Sequence, residues 1–350
     1  MTPAEAFAAI ERDGRLSSVD LSAASLPGAD LKGVILEGVN FRGANLAGAD
    51  LREAVVIGCD FSGADLSGAN LHLAQPMRSA FARTLIRGAN LAVTQFMECL
   101  LPEVAFDDCD LYMTGFVGCD LTRARIGNAH AERVNFVSCK TEGLDLSNAK
   151  LDKAFFFAAN LSRSSLDGAS FDKVVFHDVS MAGLDLSGRR FDICSFIGAN
   201  LTGTIFSRAH LVQCNFMKAQ LVGAELDEVQ APNALFVEAI CDDASMRNAS
   251  LLQAIFTDAS VNRVDLSGSD LRQSVFHRAK CMGAVFTGVN LSEADMSHAD
   301  LSLARFEGAN LYRTRLHCAT QDRTLFGPNR ALALETDERL ERAERFEPKY

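Results

Sequence analysis

The chain has 350 residues, of which 48% are hydrophobic, and a net charge of −11 at pH 7. An acidic chain lacks the basic surface that neutralises phosphates, which argues against direct nucleic-acid binding. The sequence contains no run of eighteen apolar residues, and its N-terminus has neither a cationic start nor an apolar core for export, so we expect a cytoplasmic protein without membrane contact.

The first fourteen residues predict a short capping helix. Thr2 and Glu5 have the spacing of a capping box, a proline lies at the first helical position, and Gly14 is a suitable terminator. Phe7 and Ile10 fall on one face of this helix. We expect that face to cover the open strand edge at the start of the next element.

Residues 15–320 carry one uninterrupted repeat. From Leu21 to Leu316 every fifth residue is almost always Leu, Phe, Ile, Met or Val, and the residue two places earlier is small. The unit reads A(D/N)LXX, as in Ala44-Asn45-Leu46. A longer period lies within it, because phenylalanine recurs every twenty residues from Phe96 to Phe276. Units that cannot bury their apolar side alone must stack to form a core, which predicts a solenoid.

This repeat resembles that of the pentapeptide-repeat family over nearly the whole chain. The resemblance implies an all-β solenoid, a right-handed quadrilateral β-helix with four pentapeptides in each coil and both the centre residue and the small residue pointing inward. The repeats then make about fifteen coils, with short capping helices at the two ends. A coil of twenty residues would stack the ten phenylalanines in one column.

Two kinds of residue depart from the consensus at the small inward position. Seven of the ten cysteines lie there, and we predict that they are reduced thiols acting as small apolar side chains: Cys59, Cys99, Cys109, Cys119, Cys139, Cys194 and Cys214. A disulfide or soft-metal site among stacked cysteines is the alternative. Arg189 is the sharpest exception, because a buried unpaired guanidinium costs several kcal/mol. We predict a backbone bulge that turns Arg189 outward.

The period stops before the C-terminal segment, residues 321–350. From Arg330 to Phe346 the residues are strong helix formers with charges of both signs. The apolar residues of this predicted helix could cap the final coil or form a dimer contact, and they are Leu332, Leu334, Leu340 and Phe346.

Residues beside the phenylalanine positions are often apolar. In a strand the neighbours of an inward residue point outward, so one face should display an apolar stripe, which we call the apolar wall. Large exposed apolar patches usually mark interfaces, although β-branched residues also occur on ordinary strand surface and a terminal segment could cover the stripe. The predicted partner-binding residues are Ile57, Met77, Met97, Val117, Val137, Phe155, Phe157, Val175, Ile197, Met217, Leu235, Val237 and Ile255.

No motif for catalysis, phosphate binding or a cofactor is present, and carboxylates spread over flat faces do not form a pocket. We therefore expect no enzyme activity, no cofactor and no small-molecule substrate. His277, His298, His317 and Cys318 are competent zinc ligands that lie near one another in the register. Flat walls place side chains side by side, however, so the sequence predicts a surface cluster and no metal site.

Two functions remain open. The first is a scaffold or adaptor that binds a protein partner, or itself as a homodimer, through the apolar wall. The family resemblance is compatible with an accessory role in a secretion system. The alternative, also implied by the resemblance, is a DNA mimic that binds a type II topoisomerase such as DNA gyrase. The sparse negative charge and the apolar wall argue against mimicry.

Overall fold

A computed structural model describes residues 2–346, which lie in two compact units, Met1–Ser180 and Met181–Tyr350. Each unit is a parallel β-solenoid in which residues twenty apart pair in register. The two units contain about 16 turns in all, close to the number predicted. The predicted β-helix is therefore confirmed.

The first unit begins with helix α1, Pro3–Asp13, capped by the predicted reciprocal hydrogen bonds between Thr2 and Glu5. Gly14 ends it in the left-handed conformation, with φ of 64°. Ala6 is its buried residue, whereas Phe7 and Ile10 are only half-buried. The helix therefore contributes less apolar cover than its sequence suggests.

Eleven short strands follow in the first unit. Their bounds are β1 Arg15–Ser17, β2 Ile35–Glu37, β3 Val55–Ile57, β4 Gln75–Met77, β5 Gln95–Met97, β6 Gly115–Val117, β7 Asn135–Val137, β8 Lys150–Asp152, β9 Phe155–Phe157, β10 Ser170–Asp172 and β11 Val175–His177. Nine form one parallel sheet in the order β1-β2-β3-β4-β5-β6-β7-β9-β11, and β8 pairs with β10. The large sheet is one complete side of the solenoid.

The corner between successive pentapeptides explains the consensus. Most Asp and Asn residues that directly precede a centre accept a hydrogen bond from the backbone N–H two residues later, as Asp65 Oδ1 does from Ser67 at 2.9 Å and Asp265 Oδ1 from Ser267 at 2.9 Å. Asx side chains close turns in this way. The second residue after almost every centre has positive φ, and glycine is not required there: the φ of Glu53 is 61°.

Stacked phenylalanines fill both cores. In the first unit the rings from Phe96 to Phe176 stack with centroids 4.7 to 5.3 Å apart. In the second unit those from Phe196 to Phe276 stack at 4.6 to 5.0 Å. The phenylalanines that recur every twenty residues in the sequence thus form one column of stacked rings in each unit.

Polar atoms at the small inward position bond to the backbone of the preceding coil. Thr114 Oγ1 donates to Leu91 O at 2.8 Å, and Cys139 Sγ donates to Phe116 O at 3.2 Å. Nine of the ten free cysteines are buried. Burial raises the pKa of Cys59 to about 11 and that of Cys109 to about 12. The thiols of Cys59 and Cys109 are therefore held protonated, and the nine buried thiols are out of contact with solvent.

We expect only one thiol to react in the folded protein. Cys318 is half-exposed whereas the other nine are buried, so in the presence of a metal chelator a thiol reagent at pH 8 should modify about one cysteine per chain before unfolding and ten after it. Mass spectrometry of the labelled protein measures the count. Cys318→Ser should reduce the native count to zero, and fast labelling of several cysteines in the folded protein would contradict the burial.

The second unit contains fewer assigned elements. Strands β12, Arg305–Phe306, and β13, Leu325–Phe326, pair in parallel, and elsewhere single bridges link residues twenty apart. A 3-10 helix, Pro328–Leu332, and helix α2, Glu338–Glu344, follow. Within residues 2–346, no helix is long and apolar enough to cross a membrane.

The predicted continuous helix from Arg330 to Phe346 is wrong. Leu334 forms a parallel bridge with Arg315, and its N–H donates to Thr314 O at 2.8 Å. The physical reason is the open edge of the last repeat, whose backbone groups need partners. An extended segment satisfies them, so helix formation is confined to residues on either side of it.

The predicted bulge at Arg189 is also wrong. Its N–H donates to Leu186 O at 3.2 Å and its carbonyl accepts from His210 N at 2.8 Å, as at regular small positions. Its side chain is half-buried, as are the residues at the neighbouring small positions Ala169 and Leu184. The regular backbone therefore accommodates the guanidinium without directing it into a sealed core.

Candidate functional site

The outer face of the nine-stranded sheet carries one apolar column. Parallel register places six residues side by side on successive strands: Ile57, Met77, Met97, Val117, Val137 and Phe157. We call these six the apolar column. Glu37 precedes it and His177 follows it in the same register. The centre residue of each strand is buried, so its neighbours face outward.

The members of the apolar column largely cover one another. Val117 is 41% exposed, whereas the other five are half-buried. Strands about 4.8 Å apart bring side chains in register into contact, which removes much of their surface from water. The residues thus face outward as predicted, but the apolar surface that they show is narrower than the sequence suggests.

The column on the other side of the phenylalanines is apolar only in part. Phe155 and Val175 pair in register, but Gln95, Gly115 and Asn135 precede the phenylalanines in the middle coils. The Gln95 amide lies over Gly115, where an added β-carbon would clash with Gln95 Oε1. The apolar wall of this unit is therefore one residue wide in its middle and two wide near each end, at Val55 and at Phe155.

In the second unit the remaining predicted wall residues form a smaller group. Leu235 pairs with Ile255 by a parallel bridge. Both are half-buried, as are the other three members, Ile197, Met217 and Val237. Positions twenty and forty residues after Val237 are Thr257 and His277, so the surface becomes polar toward the C-terminus.

The predicted cap or dimer residues of the C-terminal segment remain exposed. They are Leu332, Leu334, Leu340 and Phe346. None is buried against the final turn, so the segment caps it through backbone pairing and not through these side chains. Their exposure is compatible with the dimer contact, which stays a prediction.

A cleft of about 660 Å³ lies where the C-terminal segment meets the last turns. Its lining includes His277, His298, His317, Leu334 and Glu344. Glu344 Oε2 lies 3.2 Å from Nε2 of both His298 and His317. The hydrogen bond from His317 lowers the pKa of the Glu344 carboxyl below its ordinary value.

The sequence reasoning missed the convergence of side chains in this cleft. Three of the four residues that the sequence places near one another do come together: His298, His317 and Cys318. Glu344 joins them from α2. Flat walls alone would keep the histidines apart, but the chain folds back over them. No sequence pattern identifies Glu344, because its position depends on the five residues that connect the 3-10 helix to α2.

Solved structures of pentapeptide repeat proteins are similar to this chain. HetL from the cyanobacterium Nostoc sp. strain PCC 7120, described as involved in heterocyst differentiation regulation, is 18% identical over 90% of this chain and 96% of its own, with a TM-score of 0.30. QnrB1, a plasmid-mediated fluoroquinolone resistance protein, is 15% identical over 51% of this chain and 92% of its own, with a TM-score of 0.39. A protein from the thylakoid lumen of Arabidopsis thaliana is 32% identical over 33% of this chain and 68% of its own, with a TM-score of 0.23.

No curated protein sequence matches this chain. The family model for pentapeptide repeats does match it, in eight copies, over residues 15–52, 44–75, 156–188, 194–229, 234–278 and 279–317. These matches cover well over half of the chain and agree with the pairing of residues twenty apart in both units. The chain therefore belongs to the pentapeptide-repeat family.

Proposed function

We propose that this protein is a non-catalytic scaffold or adaptor that binds a protein, either a partner or a second copy of itself, through the apolar column. The observation that carries the proposal is the unbroken run of six outward apolar side chains on one parallel sheet. Hydrophobic burial, worth about 25 cal/mol per Å², would supply the affinity. A rigid sheet surface would lose little conformational entropy on binding.

The size of the column sets a condition on the partner. A stable interface buries about 800 Å² on each side, more than six partly covered side chains expose. The partner must therefore also contact neighbouring residues, and these are apolar at the two ends of the column, where Val55 accompanies Ile57 and Phe155 accompanies Phe157. An adaptor role, for example as an accessory protein of a secretion system in the cytoplasm, would use this same surface.

The DNA-mimic alternative has less support from the arrangement of charges. Carboxylates in the second unit are paired with arginines of the next coil, as in Asp243 with Arg263 and Asp258 with Arg278. Pairs within one coil, such as Asp270 with Arg272, add to this neutralisation. A surface of alternating charges differs from a phosphate backbone, which presents negative charge alone.

A matched pair of double variants tests the proposal. Met97→Glu/Val117→Glu places two charges on the apolar column and should abolish partner binding or self-association, because desolvating a carboxylate against an apolar partner is costly. Met113→Glu/Val222→Glu makes the same changes at residues outside the column that are 39% and 36% exposed, and it should bind normally. Both variants should retain the wild-type circular dichroism spectrum.

Light scattering gives the solution mass of all three proteins, and pull-downs from the source lysate compare their partners. Loss of a dimer or a partner in the column variant alone supports the proposal. The same solution mass and the same recovered partners for the two variants would contradict it. Binding of purified DNA gyrase that weakens steeply with salt, and equally in both variants, would favour the mimic instead.

A further inference from the structure

Three segments of the second unit bring four metal-binding side chains together. His298 and Cys318 occupy equivalent corners of successive coils, both with positive φ, at 59° and 52°. His317 directly precedes Cys318, and its carbonyl accepts the N–H of His298 at 2.8 Å. Glu344, in the last turn of α2, completes the group. One donor atom from each side chain lies within 4.8 Å of all the others.

Three of the six separations between donor atoms are close to those of a tetrahedral site, and the other three are at most 4.8 Å. Nε2 of His298 and of His317 each lie 3.2 Å from Glu344 Oε2, and Cys318 Sγ lies 3.5 Å from His317 Nε2. Zinc bonds of about 2.0–2.1 Å to nitrogen or oxygen and about 2.3 Å to sulfur place tetrahedral ligands about 3.3–3.6 Å apart. Binding of a cation at the centre of the cluster therefore requires the more widely separated side chains to move closer together.

The chemistry of the donors selects the type of metal. Two imidazoles, a thiolate and a carboxylate suit Zn²⁺, whereas Mg²⁺ and Ca²⁺ prefer oxygen ligands alone. The side chains of His298, His317 and Glu344 are 31%, 8% and 39% exposed, so the group is partly enclosed but open to an entering ion.

The hydrogen bonds of His317 and Asp337 predict what must change on metal binding. The N–H of Asp337 donates to His317 Nδ1 at 3.1 Å, so the neutral ring carries its proton on Nε2. Coordination through Nε2 moves that proton to Nδ1 and breaks the bond from Asp337. Asp337 also caps α2 by accepting from Arg339 and Leu340, so metal binding should shift the first turn of that helix.

We propose that His298, His317, Cys318 and Glu344 form a Zn²⁺ site that fastens α2 to the last turns of the solenoid. The apolar column plays no part in this inference. Because α2 carries the exposed Leu340, zinc would determine how the C-terminal apolar residues are presented.

Titration of the untagged, metal-free full-length protein with zinc against a chromophoric chelator tests the site. We expect one zinc per chain, and at least ~10-fold weaker binding in His298→Ala and in His317→Ala. Glu344→Gln should also weaken binding while preserving side-chain shape. The control is His277→Ala, which removes a neighbouring histidine outside the donor group, and its affinity should match the wild type.

Cobalt provides a second readout. Co²⁺ bound through Cys318 should give a near-ultraviolet thiolate-to-metal absorption band and the intense visible bands of a tetrahedral site. Cys318→Ser should remove the near-ultraviolet band. Unchanged zinc affinity in His298→Ala/His317→Ala, or equal weakening in His277→Ala, would overturn the proposal.

Discussion

Replacing Phe136 by alanine should lower the free energy of unfolding by about 3–5 kcal/mol. The ring is fully buried and stacks between Phe116, with centroids 5.3 Å apart, and Phe156, with centroids 4.7 Å apart. Its removal loses transfer free energy and leaves a cavity that two flat neighbouring rings cannot fill. The loss should appear as a lower urea midpoint, followed by circular dichroism.

Phe346→Ala is the matched control for this prediction. That ring is 74% exposed, so the same substitution should change stability by no more than about 0.5 kcal/mol. Each variant must also refold on dilution from urea, since long repeat arrays can depart from two-state behaviour. Equal midpoints for the two variants would mean that the stacked rings do not hold the core together.

The fold could be predicted because each of its features has a local cause that repeats. A large apolar residue every fifth position and a small one two places before it specify which side chains point inward. The Asx residue between them closes the corner, as at Asp65. An unbroken register then aligns equivalent residues twenty apart, so the stacking of Phe116 on Phe136 follows from counting.

The site could be predicted only in part. The repeat pattern shows which residues are neighbours, but it does not give the distances between their side chains or the course of the non-repeating C-terminal segment. The apolar column lies where the sequence places it, but the degree to which Met97 and Val137 are covered by their neighbours depends on side-chain packing. The position of Glu344 depends on a single non-repeating connection. Helix propensity reflects the local sequence alone, and it places Leu334 in a helix. The open strand edge with which Leu334 pairs is a feature of the tertiary structure, which the local sequence does not show.

A charge at a sealed small position should be far more damaging than the natural charge at Arg189. Ala254 is fully buried, and its equivalents in the adjacent coils, Ala234 and Ser274, are buried too. Ala254→Asp adds volume to a packed position and places a carboxylate in the buried core. We expect a loss of about 4 kcal/mol or more in the free energy of unfolding at pH 7.

The pH dependence of this loss identifies its cause. Burial raises the pKa of the introduced carboxyl in the folded state, so the folded protein holds that proton more tightly than the unfolded chain. The penalty from charge is therefore largest above the raised pKa of the folded state, and it should shrink as the pH falls through that pKa toward about 3.9, the usual pKa of an aspartate. Ala254→Asn is the control, because it adds nearly the same volume without a charge. The Asp variant should be the less stable of the two at pH 7, and the difference should narrow on acidification. A constant difference would show that solvent reaches this position, as it reaches the half-buried Arg189.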